Sequence, residues 1–157
     1  MSFSRWSPHV TVAALIEQEG RFLLVEERCP DGLRLNNPAG HLEEGESLVE
    51  ACAREVLEES GYAFTATGLV GVYLSRFHPP HSSEAISYLR FAFCGVLGAT
   101  APGRTLDPAI ERTLWMSAEE IAGSRERHRT PLLWQCVQDY LAGHRTGLQL
   151  LHTSKLC

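Results

Sequence analysis

Residues 38–62 limit the fold more than any other part of the chain. They read as a short loop running into one capped, acidic helix. Ser47 can serve as N-cap, and Glu50 three residues later can reach back to the cap backbone, the pattern of a capping box. Gly61 supplies the left-handed residue that commonly closes a helix. Between these ends Val49, Cys52, Ala53 and Val56 recur at i, i+3, i+4 and i+7, an apolar stripe that needs a core to cover it. Glu55, Glu58 and Glu59 share a second face, roughly a third of a turn from the stripe at ~100° per residue. Like charges so spaced destabilise a helix by roughly 0.2–0.5 kcal/mol per pair. Either Arg54 and solvent relieve that repulsion, or a bound cation turns it into attraction.

The flanks of this helix read as β-structure. Residues 9–18 are β-branched and apolar on both faces, as in a central strand. Glu19-Gly20 then makes a turn, and residues 21–28 are expected to return as the antiparallel partner. Pro30-Asp31-Gly32 is a second turn, leading to a short strand over 33–37. After Gly61, residues 62–77 and 86–97 predict a hairpin whose long tip carries His78, Pro79, Pro80 and His81. A loop over 99–108 precedes a short strand with Leu114, Trp115 and Met116. Ser117 caps a helix that begins at Ala118. A last helix runs from Thr130 or Pro131 to about Leu141 with Leu133, Cys136, Val137 and Tyr140 on one face. The tail, 143–157, carries a weak pattern. This order predicts one α+β domain over 1–157, a mixed β-sheet sandwiched between α-helices.

Composition narrows the partners. The 157 residues are 44% hydrophobic and 21% charged, ordinary for a soluble globule long enough to close a core. A net charge of −5 argues against a nucleic-acid polymer as ligand but not against a phosphorylated small molecule, because a metal ion supplies positive charge locally. Five cysteines (Cys29, Cys52, Cys94, Cys136, Cys157) form no CxxC pair, so a reducing, cytoplasmic setting with mostly buried thiols is expected. No signal peptide or membrane span is expected, and Ser154-Lys155-Leu156 is not terminal enough to serve as a peroxisomal address.

Gly40, five residues, Glu46, seven residues, then Arg54-Glu55-Val56-Leu57-Glu58-Glu59-Ser60-Gly61-Tyr62 resembles the Nudix box, Gx5Ex7REUxEExGU with U an apolar residue. Tyr62 is a looser version of the usual aliphatic. Pro8-His9-Val10-Thr11-Val12-Ala13, Asn37-Pro38-Ala39-Gly40-His41-Leu42-Glu43, Leu89-Arg90-Phe91 and Trp115-Met116-Ser117-Ala118-Glu119-Glu120-Ile121 are similar to the NudJ-type branch of that family. The resemblance covers most of residues 8–142 and implies a Nudix fold. It also implies a phosphoanhydride hydrolase that uses Mg²⁺, or Mn²⁺, ions suited to hard oxygen ligands. Glu58 and Glu59 are then metal ligands together with the carbonyl of Gly40. Glu55 is a further ligand or orients the attacking water.

Several assignments surround the box. Arg54, four residues from both Glu50 and Glu58, is read as holding a ligand carboxylate, with phosphate contact as the alternative. Glu46 ties the loop to the helix. The wider family often places an acid six residues before Trp115, where this chain has Ala109; of the carboxylates available nearby, Asp107 and Glu111, the outer base is assigned to Glu111, which otherwise is a solvated side chain. Asn36 and Asn37 either read a base edge or satisfy a turn. Arg90 either snorkels out of its aromatic strand or faces the substrate. His41, His78 and His81 read as loop histidines, with contact to a phosphate as the alternative. The branch resemblance implies nucleoside tri- and diphosphates, hydroxymethylpyrimidine pyrophosphate and thiamine pyrophosphate as substrates, with orthophosphate released. The alternatives are a pyrophosphohydrolase cutting a nucleoside triphosphate or ADP-ribose between α and β, and an idle nucleotide sensor.

Overall fold

The computed structural model describes residues 5–154, so Cys157 and the Lys155-Leu156 pair lie outside it. Helix α1 spans Leu48–Ser60 and carries both predicted caps. Glu50 N donates to Ser47 Oγ over 3.2 Å, and Ser47 N donates to the Glu50 carboxylate over 2.7 Å. Gly61, at φ 76°, donates its N–H to Leu57 O. The buried side of α1 is formed by Ala51, Cys52, Val56 and Glu59, whereas Val49 and Ala53 are half-buried at its margin. The stripe is therefore rotated from the expected one and runs through an acid. Burial of Val56 alone contributes about 1.5–3 kcal/mol.

Among the described residues, eight strands make two sheets. In the first, the order is β5 (Ala39–His41), β1 (His9–Leu15), β7 (Ile86–Thr100), β6 (Tyr62–Phe77), with β1 and β7 parallel and the other pairs antiparallel. In the second, β3 (Arg21–Cys29) is central, flanked by β8 (Ile110–Ser117) on one edge and by β2 (Glu17–Gln18) and β4 (Gly32–Asn36) on the other. The expected pairing of residues 9–18 with 21–28 holds only at its turn. There Glu19 and Gly20 both take positive φ, and Glu17 and Gln18 pair with Phe22 and Arg21. Beyond that the strands part, because β5 and β7 already occupy both edges of β1.

The sheets form a middle layer. Val12, Ala14, Ile16, Leu23 and Phe93 pack towards α1, while Ala13, Leu15, Phe22, Leu24, Ala92 and Cys94 pack the other way. That second face is covered by α2 (Ala118–Ala122) and α3 (Leu132–Leu141), whose Ile121, Leu133, Cys136 and Val137 are fully buried. The tail is more ordered than its sequence pattern. Thr146 bridges to Leu69, and Leu148 and Leu151 pack against the core beneath α1. His41 lies on an edge strand and not in a loop, whereas His78 and His81 stay in the hairpin tip. Among the described residues no helix is long and apolar enough to cross a membrane, and Cys29, Cys52, Cys94 and Cys136 are free thiols.

The left-handed stop at Gly61 is open to a direct test. A Cβ added there meets only Leu106 Cδ2 at 3.7 Å, an ordinary contact, so the cost of Gly61→Ala is that of its backbone conformation. Urea unfolding of this variant is expected to show a loss of about 1–2 kcal/mol with an unchanged m-value.

Candidate active site

Three consecutive residues of β5 meet three side chains of α1. Ala39 N donates to Glu59 Oε2 over 3.0 Å. Gly40 faces Glu55 so closely that any Cβ there would overlap the Glu55 carboxyl group. His41 O accepts from Arg54 Nη2 over 2.9 Å. Glu55 and Glu59 are thus docked on an edge strand and do not project into bulk water, while Glu58 keeps 36% of its side chain exposed beside Arg54.

Arg54 is the counter-charge inside this cluster. Its guanidinium reaches Glu46 at 2.7 Å, Glu55 at 2.7 Å, Glu58 at 3.3 Å and Glu43 at 3.9 Å. Glu46 also accepts from Glu43 N over 2.8 Å, which ties the loop to the helix. One guanidinium shared among four carboxylates leaves a negative surplus, and Glu59 lies outside its reach among the ion pairs found.

Glu59 is only 6% exposed. Burial pushes its carboxyl up to about 9, the Ala39 N–H pulls it back, and the charges of Glu27, Glu55 and Asp107 add to the rise. Burial also raises Glu55. Arg54 opposes that rise, while Glu58 and Asp107 support it. Buried acids raised by one another are the environment that a cation relieves, by restoring the ionised form. Among the described residues no three His, Cys, Asp or Glu side chains converge as a ready-made metal cage. Magnesium does not need one, since it keeps several waters and uses one or two carboxylates together with substrate phosphates. The hard oxygen donors of Gly40, Glu55, Glu58 and Glu59 fit such an ion.

The residues expected around the box take different places. Asn36 Nδ2 donates to Glu27 Oε1 over 3.2 Å, while its Oδ1 and both amide atoms of the fully buried Asn37 have no hydrogen-bond partner. Arg90 does not snorkel. It is 6% exposed, lies opposite Thr11 and Tyr73, and acts electrostatically on Cys136 of α3. Its Nη1 has no partner. Glu111 forms an ion pair with Arg28, both side chains being well exposed. Asp107, by contrast, is tied to the box: its N–H donates to Glu58 O over 2.9 Å, and its charge is felt at both Glu55 and Glu59.

Two site neighbours were not singled out from sequence. Glu27 is 6% exposed, ion-paired with Arg129, and close enough to Glu59 for its charge to matter. Its signal was the pair Glu26-Glu27 inside an otherwise apolar strand, which forces one acid towards each face. Glu26 is held by Arg112 at 2.8 Å and Arg127 at 2.6 Å, which keep its carboxyl below the usual range. Arg129 comes from the loop before α3, contacts Cys29 Sγ at 3.3 Å, and lies near enough to His41 to oppose its protonation, after burial and the charge of His9.

Comparison with known proteins agrees with this geometry. The NUDIX domain model matches residues 7–135. The chain is 37% identical over 146 residues to Phosphatase NudJ of Escherichia coli K12, covering 93% of this chain and 92% of that one. A NUDIX hydrolase of Nitrosomonas europaea superposes with a TM-score of 0.87 at 47% identity, covering 94% of this chain and 98% of that one. A bifunctional NMN adenylyltransferase/ADP ribose pyrophosphatase of Francisella tularensis, complexed with AMP and a manganese ion, shares the fold at 19% identity and a TM-score of 0.61, over 89% of this chain and 43% of that one. With the box docked on its edge strand and the match running through both sheets, this chain belongs to the Nudix hydrolase family.

Proposed function

We propose that the chain is a metal-dependent phosphoanhydride hydrolase of NudJ type. It releases orthophosphate from nucleoside tri- and diphosphates and from hydroxymethylpyrimidine or thiamine pyrophosphate. The observation that carries this reading is Glu59 and Glu55 of α1 pressed against Ala39 and Gly40, with Arg54 as the counter-charge shared by Glu55 and Glu58. The near full-length likeness to a protein named a phosphatase supports the choice of product. Free thiols at all four described cysteines accord with a cytoplasmic setting.

In the reaction water attacks phosphorus, the bond to the leaving phosphate breaks, and a carboxylate accepts the water's proton. Gly40 O, Glu55, Glu58 and Glu59 would hold Mg²⁺ or Mn²⁺, which when bound neutralises phosphate charge and activates water. Arg54 orients Glu55 and Glu58 from the opposite side. Glu59 is kept in place by the Ala39 N–H, and Gly40 leaves the space that the Glu55 carboxylate fills. We assign the outer base to Asp107 in preference to Glu111. Asp107 is bonded through its backbone to Glu58 O, whereas Glu111 is engaged with Arg28 at an exposed edge.

Two assays test this reading. Incubation with Mg²⁺ and GTP, GDP, ADP-ribose or thiamine pyrophosphate, with orthophosphate and pyrophosphate quantified separately, is expected to give orthophosphate as the main product from GTP. Pyrophosphate instead would mean cleavage between α and β. For the base, general acid–base catalysis contributes about 10²–10⁴-fold, so Asp107→Asn should lower kcat by at least ~10²-fold. Glu111→Gln should stay within a few-fold of the parent; the reverse order of effects would return the role to Glu111.

A further inference from the structure

The two edges of the first sheet are finished differently. β5 is three residues long, and α1 side chains occupy its backbone: Ala39 N donates to Glu59, and His41 O accepts from Arg54. β6, the other edge, is closed only in part. Leu69 N donates to Thr146 O and Thr146 N donates to Leu69 O, both over 2.8 Å. Past that bridge, none of the described residues pairs with the outer side of residues 71–77. Alternate residues of a strand turn their N–H and C=O groups to the same edge, so this stretch presents a row of free donors and acceptors.

The same stretch lacks the features that keep an edge strand from pairing. It holds no proline and one charged side chain, Arg76. The register shifts of β6 all end at Gly71, and residues 71–77 then pair one to one with residues 92–86 of β7. Val72 is 50% exposed, Leu74 66% and Phe77 52%. Opposite Val72 and Leu74 on β7 stand Phe91 and Leu89, themselves only half-buried, so apolar surface continues inward from the edge. An exposed, flat, apolar edge of this kind is a template for a further strand. Its length is set by the Leu69–Thr146 bridge at one end and by the close of β6 at Phe77 at the other, and Leu74 is the midpoint of residues 71–77.

We propose that residues 71–77 are an interface between two copies of this chain, paired antiparallel about a two-fold axis at Leu74. Such a contact is closed, because each copy offers the same patch to the other. In this register Leu74 meets Leu74 of the partner subunit, Arg76 meets the partner's Val72, and Phe77 meets the partner's Gly71. Arginine never faces arginine, and an aromatic ring covers the one residue of the stretch without a side chain. This self-complementarity selects a second copy over an unrelated strand. Two four-stranded sheets become one of eight strands, with β5 and its docked α1 at the opposite ends. The box takes no part in the contact, so the inference is independent of the hydrolase reading.

The test is sedimentation velocity of the full chain over a concentration series, which is expected to show mass action between one and two chain masses. Leu74→Lys sets like charges face to face on the axis and should raise the dimer Kd by about tenfold or more. Val72→Glu faces the partner's Arg76 twice per dimer and should lower Kd by about threefold, whereas Val72→Arg at the same place should raise it by about tenfold. Val72 and Leu74 are exposed, and circular dichroism checks that each variant folds. A wild-type chain that stays monomeric at every concentration overturns the proposal and leaves the edge to a different strand or to none. A dimer that Leu74→Lys does not weaken also overturns it, by placing the contact elsewhere. Equal effects of Val72→Glu and Val72→Arg overturn the antiparallel register.

Discussion

The contact between β5 and α1 is the constraint on which the rest depends. Three residues, Ala39 to His41, meet Glu59, Glu55 and Arg54 in turn, so the strand dictates where each charged group rests. A helix with three crowded acids would relax them into solvent if it were free. Here Cys52 and Val56 anchor the helix in the core, and the same stripe carries Glu59 down with them. Helix stability and site electrostatics are thus coupled through one side of α1. The core holds the acids together, and Arg54 balances part of the repulsion.

The second sheet contributes by bringing charge to the site's margin. β3 delivers two consecutive glutamates to opposite faces, and each is met by arginines from distant segments. Glu26 takes Arg112 and Arg127, and Glu27 takes Arg129. The arginine sides of these pairs are well exposed, so each pair adds little stability by itself. Their effect is positional: they hold the loop before α3 against β3 and set Arg129 beside Glu27 and near His41. A chain with a net charge of −5 thereby keeps paired cations along β3 and near β5.

Local chemistry made much of this legible. The caps of α1, the turn at Gly32, the long hairpin and the capped start of α2 all follow from residue types at fixed offsets, and the box spacing identified the carboxylates. What escaped depends on pairing between distant segments. Nothing in residues 9–28 says that β1 has both edges taken by β5 and β7, so the expected hairpin stops at Glu17 and Phe22. Asp107 and Glu111 are equal candidates by composition, and only the fold puts one against Glu58 and the other against Arg28. Arg90 was expected either to snorkel or to face the substrate because an unpaired charge in a strand is costly, and burial against Cys136 of α3 excludes the first. The tail shows the same limit: its few leucines gain meaning only from the groove beside α1 that receives them.

The central claim is that the acids gathered on α1 against β5 form a cation site. It is tested most directly by titrating Mn²⁺ into the protein and following the electron paramagnetic resonance signal of the free ion. The account predicts that the wild-type chain removes that signal as sites fill, and that a Glu58→Gln, Glu59→Gln double variant with an intact circular dichroism spectrum leaves it nearly undiminished. Equal Mn²⁺ uptake by the two proteins would contradict it.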